Sequence, residues 1–183
     1  ASDMESMDVK TLMAMASDED KDCLDNLWLG YTETWGAPDL RQEIAKTYKT
    51  MAAENILCLA GAGEGIYAAM RALLDKHDHM ITVVPNYQSA ETVPLEVCQV
   101  SGVVLRQENS WQLDLDDVKA AIRPNTRLIA INFPHNPTGA VLSNEDLRAL
   151  VEICRTQDIY LFSDEVYAGV EIDPRDTMDQ VAD

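Results

Sequence analysis

Basic side chains are scarce in this chain: 14 lysines and arginines stand against 32 aspartates and glutamates, a formal net charge of −18. Nucleic acid and anionic membrane surfaces both demand a basic footprint, so neither is expected as a partner, and the acidity reads as a solvated surface. Long apolar runs are missing too: no stretch reaches the ~18 residues that a membrane-spanning helix requires. Cysteine is sparse. Cys23, Cys58, Cys98 and Cys154 lie far apart, three of them in apolar segments and none in Cys-x-x-Cys spacing, a pattern of buried free thiols in a reducing compartment. The opening residues Ala1-Ser2-Asp3-Met4-Glu5 lack the basic and apolar regions of a signal peptide, and a cytoplasmic location is the expectation. No internal repeat or low-complexity tract occurs.

What is present is ordinary for a soluble globular protein: 183 residues, 46% apolar and 25% charged, enough for one sizeable domain. The most informative stretch runs from Arg127 to Tyr167. An apolar strand, Leu128-Ile129-Ala130-Ile131, leads into Asn132-Phe133-Pro134-His135-Asn136-Pro137-Thr138-Gly139. A helix and a second strand, Ile159 to Phe162, follow, and that strand leads into Ser163-Asp164-Glu165-Val166-Tyr167. Strand, helix and strand make a βαβ unit, and in open parallel sheets ligands bind at the carboxyl ends of the strands. Both polar clusters fall at such ends.

Upstream, residues 1 to 30 are rich in Asp, Met and Ser and read as a loose arm with one short helix near Val9-Leu12-Met13-Met15. Pro38 suits a first helical position, with Leu40, Ile44 and Tyr48 recurring at helical spacing. Ile56 to Ala60 predicts a strand, and Gly61-Ala62-Gly63-Glu64-Gly65 a glycine turn into a helix carrying Ile66, Met70, Leu73 and Leu74. Such a turn lets backbone N–H groups and a helix N-terminus approach a phosphate. It matches neither the dinucleotide Gly-x-Gly-x-x-Gly nor a P-loop. Met80 to Val84 predicts a strand ending at Pro85-Asn86-Tyr87, where an aromatic ring is placed to lie against a planar ligand. The pattern from Gln88 is helical to about Val100, interrupted by Pro94, and Val103-Val104-Leu105 is a short strand. Asp114 with Asp117 predicts an acidic capping box, and Ser143 with Asp146 starts a helix whose Leu147, Leu150, Val151 and Cys154 face the sheet.

The pair Asn136-Pro137-Thr138-Gly139 and Asp164-Glu165-Val166-Tyr167, at this spacing, resembles the cofactor-binding core of the fold-type I pyridoxal-phosphate (PLP) enzymes, close to the class I/II aminotransferases. The resemblance covers roughly residues 31 to 172. It implies a three-layer α/β/α fold with a mostly parallel sheet, an N-terminal arm over residues 1–35, and part of a PLP-binding large domain over residues 36–183. It implies that Gly61, Ala62 and Gly63 hold the cofactor phosphate, that Tyr87 stacks on the ring, and that Asn136 and Tyr167 donate to the ring oxygen. Asp164 would keep the pyridine nitrogen protonated, and Tyr31 would reach a neighbouring subunit's cofactor phosphate in a homodimer. The Asn136-Pro137 bond is expected to be cis, and His135 is expected to be a local hydrogen-bonder and not a general base. Substrates would be an amino acid and a 2-oxo acid.

Several elements of that family pattern are missing. Relatives place a Schiff-base lysine well after the Asp-x-x-Tyr strand, whereas the last lysine here is Lys119. The arginines expected downstream and the small domain are absent too, so the expectation is a truncated chain, inactive alone, with an incomplete sheet that exposes apolar surface. Within the same cofactor class a carbon–sulfur lyase or a cyclising synthase fits the visible residues equally. A nucleotide-binding α/β module and a non-catalytic interaction fragment are the readings from other classes.

Overall fold

Four of the apolar runs become parallel strands: β1 (His79–Val84), β2 (Gln99–Val104), β3 (Thr126–Asn132) and β4 (Tyr160–Asp164), hydrogen-bonded in the order β2-β1-β3-β4. The computed structural model describes residues 6–173 and 177–182. Residues 1–5, whose composition argued against a signal peptide, lie outside the described residues, as do 174–176 and 183. By its contacts the chain divides into two compact units, one ending at Thr34 and one starting at Trp35. The first carries two short helices, α1 (Val9–Met15) and α2 (Asp18–Asp25), where the sequence predicted one; neither buries a residue. Among the described residues no helix is long and apolar enough to cross a membrane.

Among the described residues the second unit holds the sheet and five α-helices: α3 (Pro38–Ala45), α4 (Ala62–Leu73), α5 (Gln88–Leu95), α6 (Leu115–Ala121) and α7 (Asn144–Gln157). Side chains alternate across a strand, and here the alternation sorts the core into two layers. Met80, Leu128 and Ala130 point to the face where Ile66 and Met70 of α4 and Val93 of α5 pack. Ile81, Val83, Ile129 and Ile131 point to the other, against Val118 of α6 and Leu147, Leu150 and Cys154 of α7. Covered on both sides, β1 and β3 are mostly apolar, with Leu128 to Ile131 apolar throughout. The result is the three-layer α/β/α arrangement with a parallel sheet expected from the sequence.

Several local expectations are corrected. Ile56 to Ala60 joins no ladder: Cys58 N–H donates to the Trp35 carbonyl at 2.9 Å and Ala60 N–H to the Glu64 carboxylate at 2.6 Å, so the amides expected in a sheet are spent on a loop and a side chain. The helix from Gln88 stops at Leu95, not Val100. The Pro94 carbonyl accepts from both Val97 and Cys98 at 2.9 Å, which turns the chain into β2 four residues before the predicted strand start. Asp114 caps α6 through Asp116 N–H at 2.9 Å, and Asp117, instead of completing a box, pairs with Arg106 at 2.7 Å. Val151 is half-exposed while its neighbours Leu147 and Leu150 are buried, because one helical stripe is narrower than the predicted face. All four cysteines are free as expected, but only Cys154 is buried; burial pushes its thiol up to about 11.

His79 opens β1 at the amino edge of the sheet, fully buried. Its Nδ1 meets the Thr126 hydroxyl at 2.8 Å and its Nε2 the Ser101 hydroxyl at 2.9 Å, tying β1 to both neighbours. Burial, reinforced by the Arg123 charge, holds its pKa below the ordinary 6.5. His135, also buried, is shifted the same way, burial outweighing the Pro85 carbonyl that favours its charged form. The folded protein therefore binds fewer protons than the unfolded chain between the lowered values and about pH 6.5, and stability rises with pH across that window. Stability should be full above about pH 6.5 and fall on acidification by at most about 1.4 kcal/mol per pH unit per histidine. Urea midpoints measured between pH 8 and pH 5 test this; H79Q should lose part of the slope.

Candidate functional site

A helix returning from the carboxyl edge of one strand to the amino edge of the next has its N-terminus at the carboxyl edge. Parallel pairing thus gathers the start of α5, which follows β1, and the polar ends of β3 and β4 on a single rim; α4 precedes β1 and packs beside α5. At the start of α4, Gly61 has φ +114°, a conformation that favours glycine, and a Cβ placed on Gly61 or Gly63 would meet nothing within 4 Å. The N–H groups of Gly61, Ala62 and Gly63 have no hydrogen-bond partner among the described residues. Three free donors at a helix N-terminus, with open space beside them, make a cradle for an anion. Glu64 in the first turn is folded back onto the Ala60 N–H, which keeps its carboxylate bonded to the chain's own backbone.

Beyond β1 the chain turns through Pro85 and Asn86, whose side-chain oxygen accepts from the Tyr87 N–H at 2.7 Å while its amide donates to the Val83 carbonyl at 3.2 Å. These two bonds hold the turn, and Tyr87 stays exposed as the N-cap residue of α5. His135, 3% exposed, donates from Nε2 to the Pro85 carbonyl at 2.8 Å; that fixes Nδ1 as the acceptor of the Thr138 hydroxyl at 2.7 Å. Both ring nitrogens are used within the scaffold. The expectation that His135 is a local hydrogen-bonder holds, and its role is to tie the β1 turn to the Asn136 loop. Asn136-Pro137 is cis, as are Val84-Pro85 and Phe133-Pro134.

Asn132 closes the rim on the other side. Its Nδ2 donates to the Asp164 carbonyl at 3.0 Å and its Oδ1 accepts the Asn136 N–H at 3.0 Å. Asp164, paired with Asn132 across the ladder, presents Oδ1 to the Val166 N–H at 3.2 Å and has no partner on Oδ2 among the described residues. Burial raises its pKa, with the Val166 hydrogen bond opposing. A half-buried carboxylate with one unsatisfied oxygen and no cation paired to it is suited to a cationic N–H donor.

The sequence-derived candidates thus divide into four groups. The segments that carry Tyr87, Asn136 and Asp164 are tied together through the hydrogen bonds of His135 to Pro85 and of Asn132 to the main chain of Asp164 and Asn136. Gly61, Ala62 and Gly63 open α4, which packs beside α5. Tyr167 lies in the turn after β4, its hydroxyl without a partner among the described residues. Tyr31 belongs to the first unit and is fully exposed. Sequence reasoning missed Asn132; its one signal was an amide at the last position of an otherwise apolar strand.

The family described as aminotransferase class I and II matches residues 7–183. An aspartate aminotransferase of Pyrococcus horikoshii is 37% identical over 153 residues, covering 80% of this chain and 39% of that protein. An arginine–pyruvate transaminase of Pseudomonas aeruginosa is 36% identical, covering 82% and 40%. The crystal structure of a PLP-dependent aminotransferase from Streptococcus suis superposes with a TM-score of 0.87 at 30% identity, covering 97% of this chain and 48% of that one. The chain therefore spans about two-fifths of the length of the curated relatives it matches.

Proposed function

The chain belongs to the aminotransferase class I and II family, and from that premise we propose that it supplies the cofactor-holding part of a PLP-dependent aminotransferase acting on an amino acid and a 2-oxo acid. The residues fit the group. Free amides beside open space at the start of α4 suit a phosphate, and the bare oxygen of Asp164 suits a protonated ring nitrogen. The observation that carries the reading is that one Asn132 side chain bonds the main chain of both motifs, the Asp164 carbonyl and the Asn136 N–H. When bound, PLP supplies an electron-accepting ring that stabilises negative charge on the carbon bearing the substrate's amino group.

The chain's own part is binding and electrostatics. Gly61, Ala62 and Gly63 would hold the phosphate through N–H groups and the helix dipole. Tyr87 would cover one face of the ring, and the Asn136 amide and Tyr167 hydroxyl would donate to the ring oxygen. Asp164 would hold the proton on the ring nitrogen. No lysine follows Lys119 in this sequence, so the covalent link would come from polypeptide beyond it.

We further propose a cytoplasmic homodimer in which Tyr31 reaches the partner's phosphate. Its fully exposed ring and the exposed Trp28 and Leu29 beside it support the second point, and four free cysteines support the first. Titrating PLP into the full-length, lysine-bearing protein should give a protein-bound visible absorbance band that an amino acid bleaches and a 2-oxo acid restores. An unchanged spectrum, or tight binding of a nucleotide instead, would reject the reading.

A further inference from the structure

We propose that Asn132 is a positioning residue that sets the separation between Asp164 and Asn136, an inference that rests on the PLP reading. Asn132 is 1% exposed at the last position of β3, and its amide is saturated on two sides by main-chain groups that belong to the two motifs. The donor half grips the Asp164 carbonyl and the acceptor half grips the Asn136 N–H, each at 3.0 Å. A strand ladder fixes spacing only while its backbone bonds continue, and β3 and β4 end at this pair. Beyond the ladder one rigid planar amide spans the gap. Donor and acceptor are both needed, so neither Asp nor Leu, though close in size, can replace it. Its own side chain points at backbone and not at ligand, which separates it from Asn136.

Displacing Asp164 relative to Asn136 would misalign two groups that address different positions of one rigid ring, and misplacement by about 1 Å costs about 10²-fold in rate. The test uses Asn132→Asp, which keeps shape and the acceptor for Asn136 but turns an oxygen toward the Asp164 carbonyl, and Asn132→Ser as a second, smaller variant, both in the full-length lysine-bearing protein. At temperatures where the variants are folded by circular dichroism, kcat should fall about 10–100-fold with KM for the amino acid little changed. The pH midpoint of the bound-PLP absorbance should also shift, and the Kd for pyridoxamine 5′-phosphate, which needs no lysine, should rise. Folded variants with an unshifted pH midpoint and unchanged Kd, whatever their Tm, overturn the proposal. So does failure of both variants to fold, which would make Asn132 a purely structural residue. If the unaltered protein captures neither PLP nor pyridoxamine 5′-phosphate, the cofactor reading itself fails and takes this inference with it.

Discussion

Asp164→Ala in the full-length protein is expected to slow the half-reaction with an amino acid by about 10²–10³-fold, the scale on which removal of one preorganised electrostatic partner acts. Cofactor affinity should fall far less, because the phosphate cradle and the Tyr87 face are untouched. Single-turnover absorbance measurements separate the two; an unchanged rate would remove Asp164 from its role. The same carboxylate should have an opposite effect on the unliganded protein. Its folded pKa is raised above the ordinary 3.8 by burial, so the folded state binds more protons than the unfolded one between those values. Stability then falls as pH rises through that window. Asp164→Asn should erase this loss and leave the ligand-free protein at least as stable at neutral pH, while turnover collapses. A residue that costs stability without ligand and supports rate with it is what a functional carboxylate should be.

Leu150→Ala is expected to lower the unfolding free energy by about 2–5 kcal/mol, a large share of the about 5–15 kcal/mol typical of a domain. Leu150 is fully buried at the middle of α7, within the cluster of Ile129, Ile131 and Phe133 that backs the rim. Truncation there leaves a cavity under β3, the strand that carries Asn132. Val151→Ala, one position along the helix but on its half-exposed side, should change stability by no more than about 0.5 kcal/mol. Urea unfolding of both variants tests the pair. Equal losses would mean that α7 does not present the stripe described above.

Much of the fold was legible because its main signals are local. Leu128 to Ile131 is apolar at every position, as suits a strand covered on both faces, and Ser143 caps α7, its hydroxyl accepting the Asp146 N–H at 3.0 Å and donating to the Asp146 carboxylate at 2.6 Å. Errors arose where a distant partner decides. Ile56 to Ala60 has strand composition, but strand is a property of a ladder, and its amides bond Trp35 and Glu64 instead. Asp117 stands at a capping position, and the guanidinium of Arg106 competes for it. Cys98 sits in an apolar segment yet is only half-buried, since the turn at Pro94 brings it to the margin of the core.

The site divides along the same line. Residue type and order along the chain were enough to nominate a glycine turn, a flat aromatic, an amide, a phenol and a carboxylate, since each chemical task admits few side chains and parallel strands deliver their carboxyl ends to one rim. How the turn after β1, the Asn136 loop and the end of β4 are tied to one another was decided only by tertiary structure. The hydrogen bonds of His135 to Pro85 and of Asn132 to Asp164 span 50 and 32 residues. A hydrogen bond depends on a few tenths of an ångström between atoms, and sequence separation carries no information about that distance until the sheet has formed.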